Sequence, residues 1–250
     1  MSLSNKDIEN GFWNIQNRNP EYLNYDDEKI RKVKTLGLGF QNEENKTKEL
    51  KIWNSKLEQL DNVEYIYTYH KVNQSLFETI CRMKNLKGIN IKWSSIKNID
   101  CLKDQSELEH LHLGQSTGVE CIEPISVMRN LITLESVNLK KVKDWTHLAN
   151  LTQLEGLGIH GGMYERLRLE SIEFVSGLHN LKYLFLIATT IGDKSLKPIE
   201  GLKTLRSLKL TNDWPEKEFI RLRKELPNLK YGNVANDKQT RYLKRIFGKK

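Results

Sequence analysis

Cysteine is scarce in this 250-residue chain: it occurs three times, at 81, 101 and 121. An odd and small number gives no disulfide framework, and no C-x-x-C is present to suggest a metal or redox pair. Buried, reduced thiols are expected instead. No stretch approaches the ~18 to 20 apolar residues that a membrane span requires. The first ten residues carry Lys6, Asp7 and Glu9 without an apolar run, so they do not read as a secretory signal, and a cytoplasmic protein is expected. Catalytic signatures are missing too: no G-x-S-x-G elbow, no G-x-x-x-x-G-K-[ST] phosphate loop and no H-E-x-x-H pair. No enzyme activity and no cofactor are expected. Acidic residues are absent from positions 241–250, where Arg241, Lys244, Arg245, Lys249 and Lys250 hold +5 of the net +8. The basic balance is therefore an end effect rather than a stripe across the fold, and nucleic acid is not the expected partner.

What the sequence has is leucine in a fixed rhythm. Between Leu148 and Leu210 it reads L-A-N-L-T-Q-L-E-G-L-G-I, then L-H-N-L-K-Y-L-F-L, then L-K-T-L-R-S-L-K-L. Each run steps by three and closes with a step of two. The closing step is the alternation of a half-buried strand, and the three-residue steps suit 3₁₀ turns or extended chain. Walking outward, the first apolar residue of each unit is Val33, Val63, Leu86, Leu108, Leu131, Leu154, Leu181, Leu205 and Leu229, with steps of 30, 23, 22, 23, 23, 27, 24 and 24. This pattern resembles the leucine-rich repeat in its short, bacterial form, with about nine repeats. The resemblance implies an α/β solenoid: a curved horseshoe with a parallel sheet on the concave face and 3₁₀ or short helical returns on the convex face. It departs from the family in its uneven period, a weak asparagine position after each strand and the lack of flanking cysteine caps. The last of these argues against a receptor ectodomain.

The chain then divides into an N-terminal cap at 1–32, a solenoid at 33–234 and a C-terminal helix with a basic tail at 235–250, all within one domain. An end coil exposes its apolar edge, so caps are required. Phe12, Trp13, Ile15, Tyr22, Leu23 and Tyr25 would supply the first, with one strand and one short helix. Tyr242, Leu243, Ile246 and Phe247 would supply the last. Leu50, Trp53, Leu57 and Leu60 predict a helix behind a Thr47 cap, and Ser75 to Glu78 reads as a capping box. Further on, returns keep a period of three and favour 3₁₀ turns. Gly161–Arg168 forms a bulge carrying Met163 and Tyr164. Asp213 and Pro215 open a helix with Phe219, Leu222 and Leu226 on one face. Two registers compete at 131–139: Leu131-x-x-Leu134-x-Ser136 keeps the spacing even, and Leu134-x-x-Val137-x-Leu139 has the better inward residues. The first is preferred.

Neighbouring residues of a strand point to opposite faces, so the residues flanking each L-x-L line the concave side. Tyr65, Tyr67 and Tyr69 share one strand, with Lys92 and Trp93 on the next, and Tyr183 and Phe185 form a drier patch near the other end. Aromatic residues there read as interface anchors, or else as cross-strand packing. His110, His112, Glu135, His160 and Lys209 complete the expected partner-binding face. The histidines are too far apart along the sheet for one metal ion, and a His112–Glu135 acid/base couple would lack shelter from water. The family resemblance implies a protein-binding module that uses its concave sheet; within that class a cytoplasmic bacterial-style adaptor or a toxin-neutralising immunity protein would both fit, and a monomer is expected. An alternative is nucleic-acid or anionic-surface binding through the basic C-terminal tail, with Arg241, Lys244 and Arg245 as the anionic contacts.

Overall fold

Residues 3–11, 20–40, 46–211 and 213–235 are described in a computed structural model of the chain. The L-x-L steps become the strands of one nine-stranded parallel sheet. In spatial order these are β1 (Glu21–Leu23), β2 (Thr35–Leu38), β3 (Tyr65–Val72), β4 (Gly88–Ser94), β5 (His110–Leu113), β6 (Thr133–Val137), β7 (Gly156–His160), β9 (Tyr183–Ile187) and β11 (Ser207–Leu210). The first leucine of each step stacks on its neighbour's, so Leu36, Ile66, Ile89, Leu111, Leu134, Leu157, Leu184 and Leu208 make one continuous row. Every member of that row is buried. No coil has an apolar partner within itself, so burial against the next coil is what orders it.

The register at 131–139 is the even one. Leu134 pairs with Leu157 and Ser136 with Ile159, and the buried Ser136 hydroxyl donates to the Gly158 carbonyl at 3.4 Å. A hydrogen bond replaces the missing apolar contact at that step. At the ends of the sheet the expectation is corrected. Leu229 does not open a ninth full strand; only an isolated bridge, Ser207 to Tyr231, forms there. The chain turns away at Gly232, whose φ of +90° suits glycine. The Asn233 side chain then accepts from the Leu210 amide at 2.9 Å and donates to its carbonyl at 2.7 Å. It stands in for a peptide unit and satisfies the edge that a tenth strand would have covered. The ninth strand is instead β1, paired with β2 at the other edge.

The convex side begins helical and becomes tighter, as the periods indicate. Helix α2 (Lys46–Lys56) buries Trp53, and α3 (Gln74–Cys81) buries Leu76, Phe77 and Ile80. The α3 cap is Asn73 rather than Ser75: its side chain accepts from the Leu76 amide at 2.8 Å, and Glu78 accepts from Gln74 instead. Short 3₁₀ turns follow at Asp100–Asp104, Glu123–Val127, Thr146–Asn150, Glu173–Val175 and Lys197–Ile199. Helix α4 (Glu216–Glu225) starts after Pro215, and Asp213 pairs with Arg166 rather than capping it. The 161–168 bulge leaves Met163 and Tyr164 in solvent, then enters β8 (Leu167–Leu169), which pairs with β10 (Thr189–Ile191) in a second, two-stranded sheet. The thiols depart from expectation: Cys81 and Cys101 are joined as a disulfide with Cα atoms 5.7 Å apart, and Cys121 is exposed. The proposed helix at 237–247 and the apolar residues 12–15 lie outside the described residues.

An amide ladder runs down the side of the solenoid. Asn62, Asn85, Asn130, Asn180 and Asn228 each precede the first apolar residue of a repeat. Their side-chain amides donate to the carbonyls of Val33, Asp61, Ser106, Thr152 and Lys203 in the preceding coil at 2.6–2.9 Å. Gln153 and Thr204 fill the same role in their coils. The asparagine missed after the strands thus sits before them, where turn carbonyls would otherwise be left without partners. Leu184→Ala is expected to cost about 2–5 kcal/mol through the cavity it leaves, and Asn180→Ala about 1 kcal/mol. Urea unfolding of the two variants should rank them in that order.

Candidate functional site

The strand pairings lay out the concave face as two rows. One runs Tyr22, Gly37, Tyr67, Asn90, His112, Glu135, Gly158, Phe185 and Lys209; the other runs Thr35, Tyr65, Gly88, His110, Thr133, Gly156, Tyr183, Ser207 and Tyr231. The sequence places these residues on the correct side, but expects them open to solvent. Tyr65, Tyr67, His110, His112, Glu135, Tyr183 and Phe185 are all buried.

Two physical causes account for that. The first is the glycines, which do more to bury the rings than the sequence indicates. A side chain added at Gly37 would meet the Tyr22 ring, one at Gly88 the Tyr65 ring, and one at Gly156 the Tyr183 ring. Each glycine lets the aromatic ring of the adjacent coil lie down along the sheet instead of standing out from it. The second cause is helix α1 (Asn5–Asn10). Ser4 and Asp7 close its first turn as a capping box. Its apolar pair, Leu3 and Ile8, packs with Tyr183 and Phe185, flanked by Ile132 and Tyr231. Those two rings point away from the leucine core, so α1 sits on the concave face rather than over the end coil where a cap was expected. Arg206 donates to the Asn5 side chain at 2.8 Å. Lys209 lies 4.2 Å above the Phe185 ring. Burial lowers its pKa, opposed by the nearby Glu135 and Glu9 carboxylates.

The titratable residues of the middle strands are partners of the sheet rather than a surface. His160 contacts the buried Glu135 carboxylate at 2.8 Å across β6 and β7, and His110 shares a 2.8 Å hydrogen bond with Thr133. A His112–Glu135 couple does not form; the carboxylate faces His160. Burial, with a smaller push from His160, lowers the His112 pKa to about 3 and keeps that imidazole neutral. Among the described residues no group of three His, Cys, Asp or Glu could hold a metal ion.

Parts of the face remain accessible: Ile187 of β9 is 40% exposed, in register with His160, and an aromatic cluster opens on β3 and β4. The β3–β4 register slips between Thr68 and Lys71, and Tyr69 lies within this irregular stretch. Tyr69 and Trp93 are each 49% exposed and Tyr22 is 43% exposed. Tyr22 and Tyr69 rings lie 5.0 Å apart. The exposed Lys92 ammonium is 4.9 Å from the Tyr69 ring and 5.8 Å from that of Trp93. A cavity of about 310 Å³ opens beside them, lined by Tyr69, His70, Lys71, Trp93, Ser94 and Gln115. The expected anionic contacts Arg241, Lys244 and Arg245 lie outside the described residues. A larger cavity of about 630 Å³, with Ile191, Lys194 and Trp214 in its lining, opens between β10 and α4. No signal in the sequence pointed to it, because it depends on β8 and β10 pairing.

The fold is a leucine-rich-repeat solenoid. Internalin C2 of Listeria monocytogenes is similar at 18% identity with a TM-score of 0.53, over 71% of this chain and 73% of that one. A leucine-rich-repeat protein of Leptospira interrogans is similar at 18% identity and a TM-score of 0.48, over 81% of this chain and 54% of that one. The mouse RP105/MD-1 complex contains a chain similar at 22% identity and a TM-score of 0.50, over 72% of this chain and 32% of that one. The chain therefore spans about half of the Leptospira protein and a third of the mouse one. No protein-family model matches it, and no curated protein matches it in sequence. No helix among the described residues is long and apolar enough to cross a membrane.

The buried His112 sets a pH dependence. Its unfolded imidazole binds a proton near pH 6.5, whereas the folded one resists to about pH 3. Between those values the unfolded state holds more protons, so stability is complete above pH 6.5 and falls as pH drops, by up to about 1.4 kcal/mol per pH unit. Urea unfolding between pH 7 and 4.5 should show the loss, and His112→Gln should flatten it relative to wild type.

Proposed function

We propose that the protein is a non-catalytic binding module for another protein, which it holds against the concave side of its sheet, anchored on Tyr69, Trp93 and Lys92. The observation that carries this reading is the exposed aromatic–cation cluster on a face whose other rings are largely buried. Exposed, rigid aromatic rings beside a cation are the usual composition of interface anchors, and nothing in the core requires them there. Lys209, partly buried, and His160, mostly buried, border the same face farther along and would meet a partner that extends across it. The mouse neighbour is a complex of RP105 with MD-1, which supports reading this fold as a carrier of protein partners. The finer roles that fit are a cytoplasmic adaptor or a toxin-neutralising immunity protein, acting as a monomer. In the cytoplasm Cys81 and Cys101 would be a juxtaposed thiol pair rather than a bridge, and thiol labelling of the native protein checks that placement.

A second reading, carried by the +5 of residues 241–250, is attachment to an anionic surface. It requires binding to fall steeply with salt and to vanish when the tail is deleted. For the first reading, affinity capture from the native host compares wild type with the Tyr69→Ala/Lys92→Ala/Trp93→Ala variant. We expect a specific protein to be lost at least tenfold from the variant while its melting temperature stays near that of wild type. Retention of the same protein by the triple variant moves the interface off this cluster.

A further inference from the structure

We propose that α1 is an intramolecular occupant of the β9–β11 end of the concave face, standing where a partner's short amphipathic helix with an acidic flank would dock. The inference deepens the concave-face reading above and takes from it only the choice of face. Three observations carry it. A six-residue helix is too short to persist alone in water, so α1 is helical because it is seated, and its seat consists of two side chains, Leu3 and Ile8. The receiving surface is built independently of α1. The Tyr183 and Phe185 rings lie tilted with centroids 4.8 Å apart, and Tyr183 is laid against Gly156. A polar rim surrounds the contact: Arg206 donates to the Asn5 side chain at 2.8 Å, and the Glu9 carboxylate acts electrostatically on the Lys209 ammonium.

Such a contact differs from the leucine ladder in kind. The ladder is continuous through every coil, whereas α1 touches the sheet through one apolar pair and a polar rim, with Asn5, Lys6 and Glu9 exposed. Being tethered, α1 holds its seat at high effective concentration. A partner helix must therefore outbind it, and the chemistry it must present is that of α1: two apolar side chains on one face and a carboxylate beside them for Lys209.

The test uses the full chain and needs no cellular partner. The probe is a fluorescein-labelled peptide with the sequence of residues 1–11, and the open protein is the Leu3→Asp/Ile8→Asp variant. Fluorescence anisotropy should show saturable binding to the open variant and at least tenfold weaker binding to wild type, whose face is occupied. Adding Lys209→Glu to the open variant should weaken binding at least fivefold. Absence of saturable binding to the open variant, folded by circular dichroism, overturns the proposal, as does equal binding to both proteins. Hydrogen exchange on wild type supplies an independent measurement. The Ile8 and Gly11 amides, bonded to the Ser4 and Asp7 carbonyls, should exchange at least tenfold slower than in the free peptide and at least tenfold faster than the β9 amides. Protection equal to that of β9 would make α1 an integral element rather than an occupant. The Tyr69 cluster is untouched throughout, so the outcome separates from that of the capture experiment.

Discussion

A coil of this chain has one apolar edge and nothing inside itself to bury it against. Everything else follows from that constraint. The row from Leu36 to Leu208 is apolar throughout, so each coil buries its edge against the next. Stacking the coils in parallel also brings turn carbonyls face to face with the next turn, where strands no longer satisfy them. The side-chain amides of Asn62, Asn85, Asn130, Asn180 and Asn228 meet that second demand, and Asn233 meets the same demand where the stack stops. The apolar row supplies the cohesion, and the amides fix the spacing at which it can act.

Because the ladder takes care of cohesion, the concave rows are released from it and carry a different composition. Glycines alternate with rings and with titratable side chains, so that each large residue has a flat place to lie: Tyr65 against Gly88, Tyr183 against Gly156, Glu135 against Gly158. The result is a smooth sheet with the rings lying along it, on which another segment can rest. At one end α1 does so.

Periodicity made the ladder legible, down to the register at Ser136, where even spacing outweighed the better chemistry of Val137. The returns were legible for the same reason, since steps of three and steps of three and four demand different helices. Features set by pairs of residues outside the period were not. Cys81 closes α3 and Cys101 sits in the 3₁₀ turn of the following coil. Their spacing of twenty departs from the repeat steps of 22 and 23 around it, and an α-helical return and a 3₁₀ return advance the chain by different amounts per residue. β8 and β10 pair across two loops that share no repeat. The candidate site divides along the same line. Alternation told which side Tyr67, His112 and Phe185 face, but no alternation tells what lies on that side, and the contact of Ile8 with Tyr183 joins distant parts of the chain with no shared pattern.

The two ends of the concave face are therefore unlike in a way that bears on recognition. Near β3 and β4 Tyr69 lies beside Trp93 and Lys92 at an irregularity of the pairing, and the rings are accessible without any rearrangement. Near β9 and β11 the rings are covered and a helix must leave before they can be reached. Between them, Glu135 and His160 are matched to each other and His112 is held neutral. On the proposed reading, recognition would have an order: encounter at the open aromatic–cation cluster, where a long-range charge can act, followed by competition with α1 for the far rings. Discrimination between partners would then lie in the second step, since only a partner that reproduces the apolar pair and carboxylate of α1 gains enough to replace it.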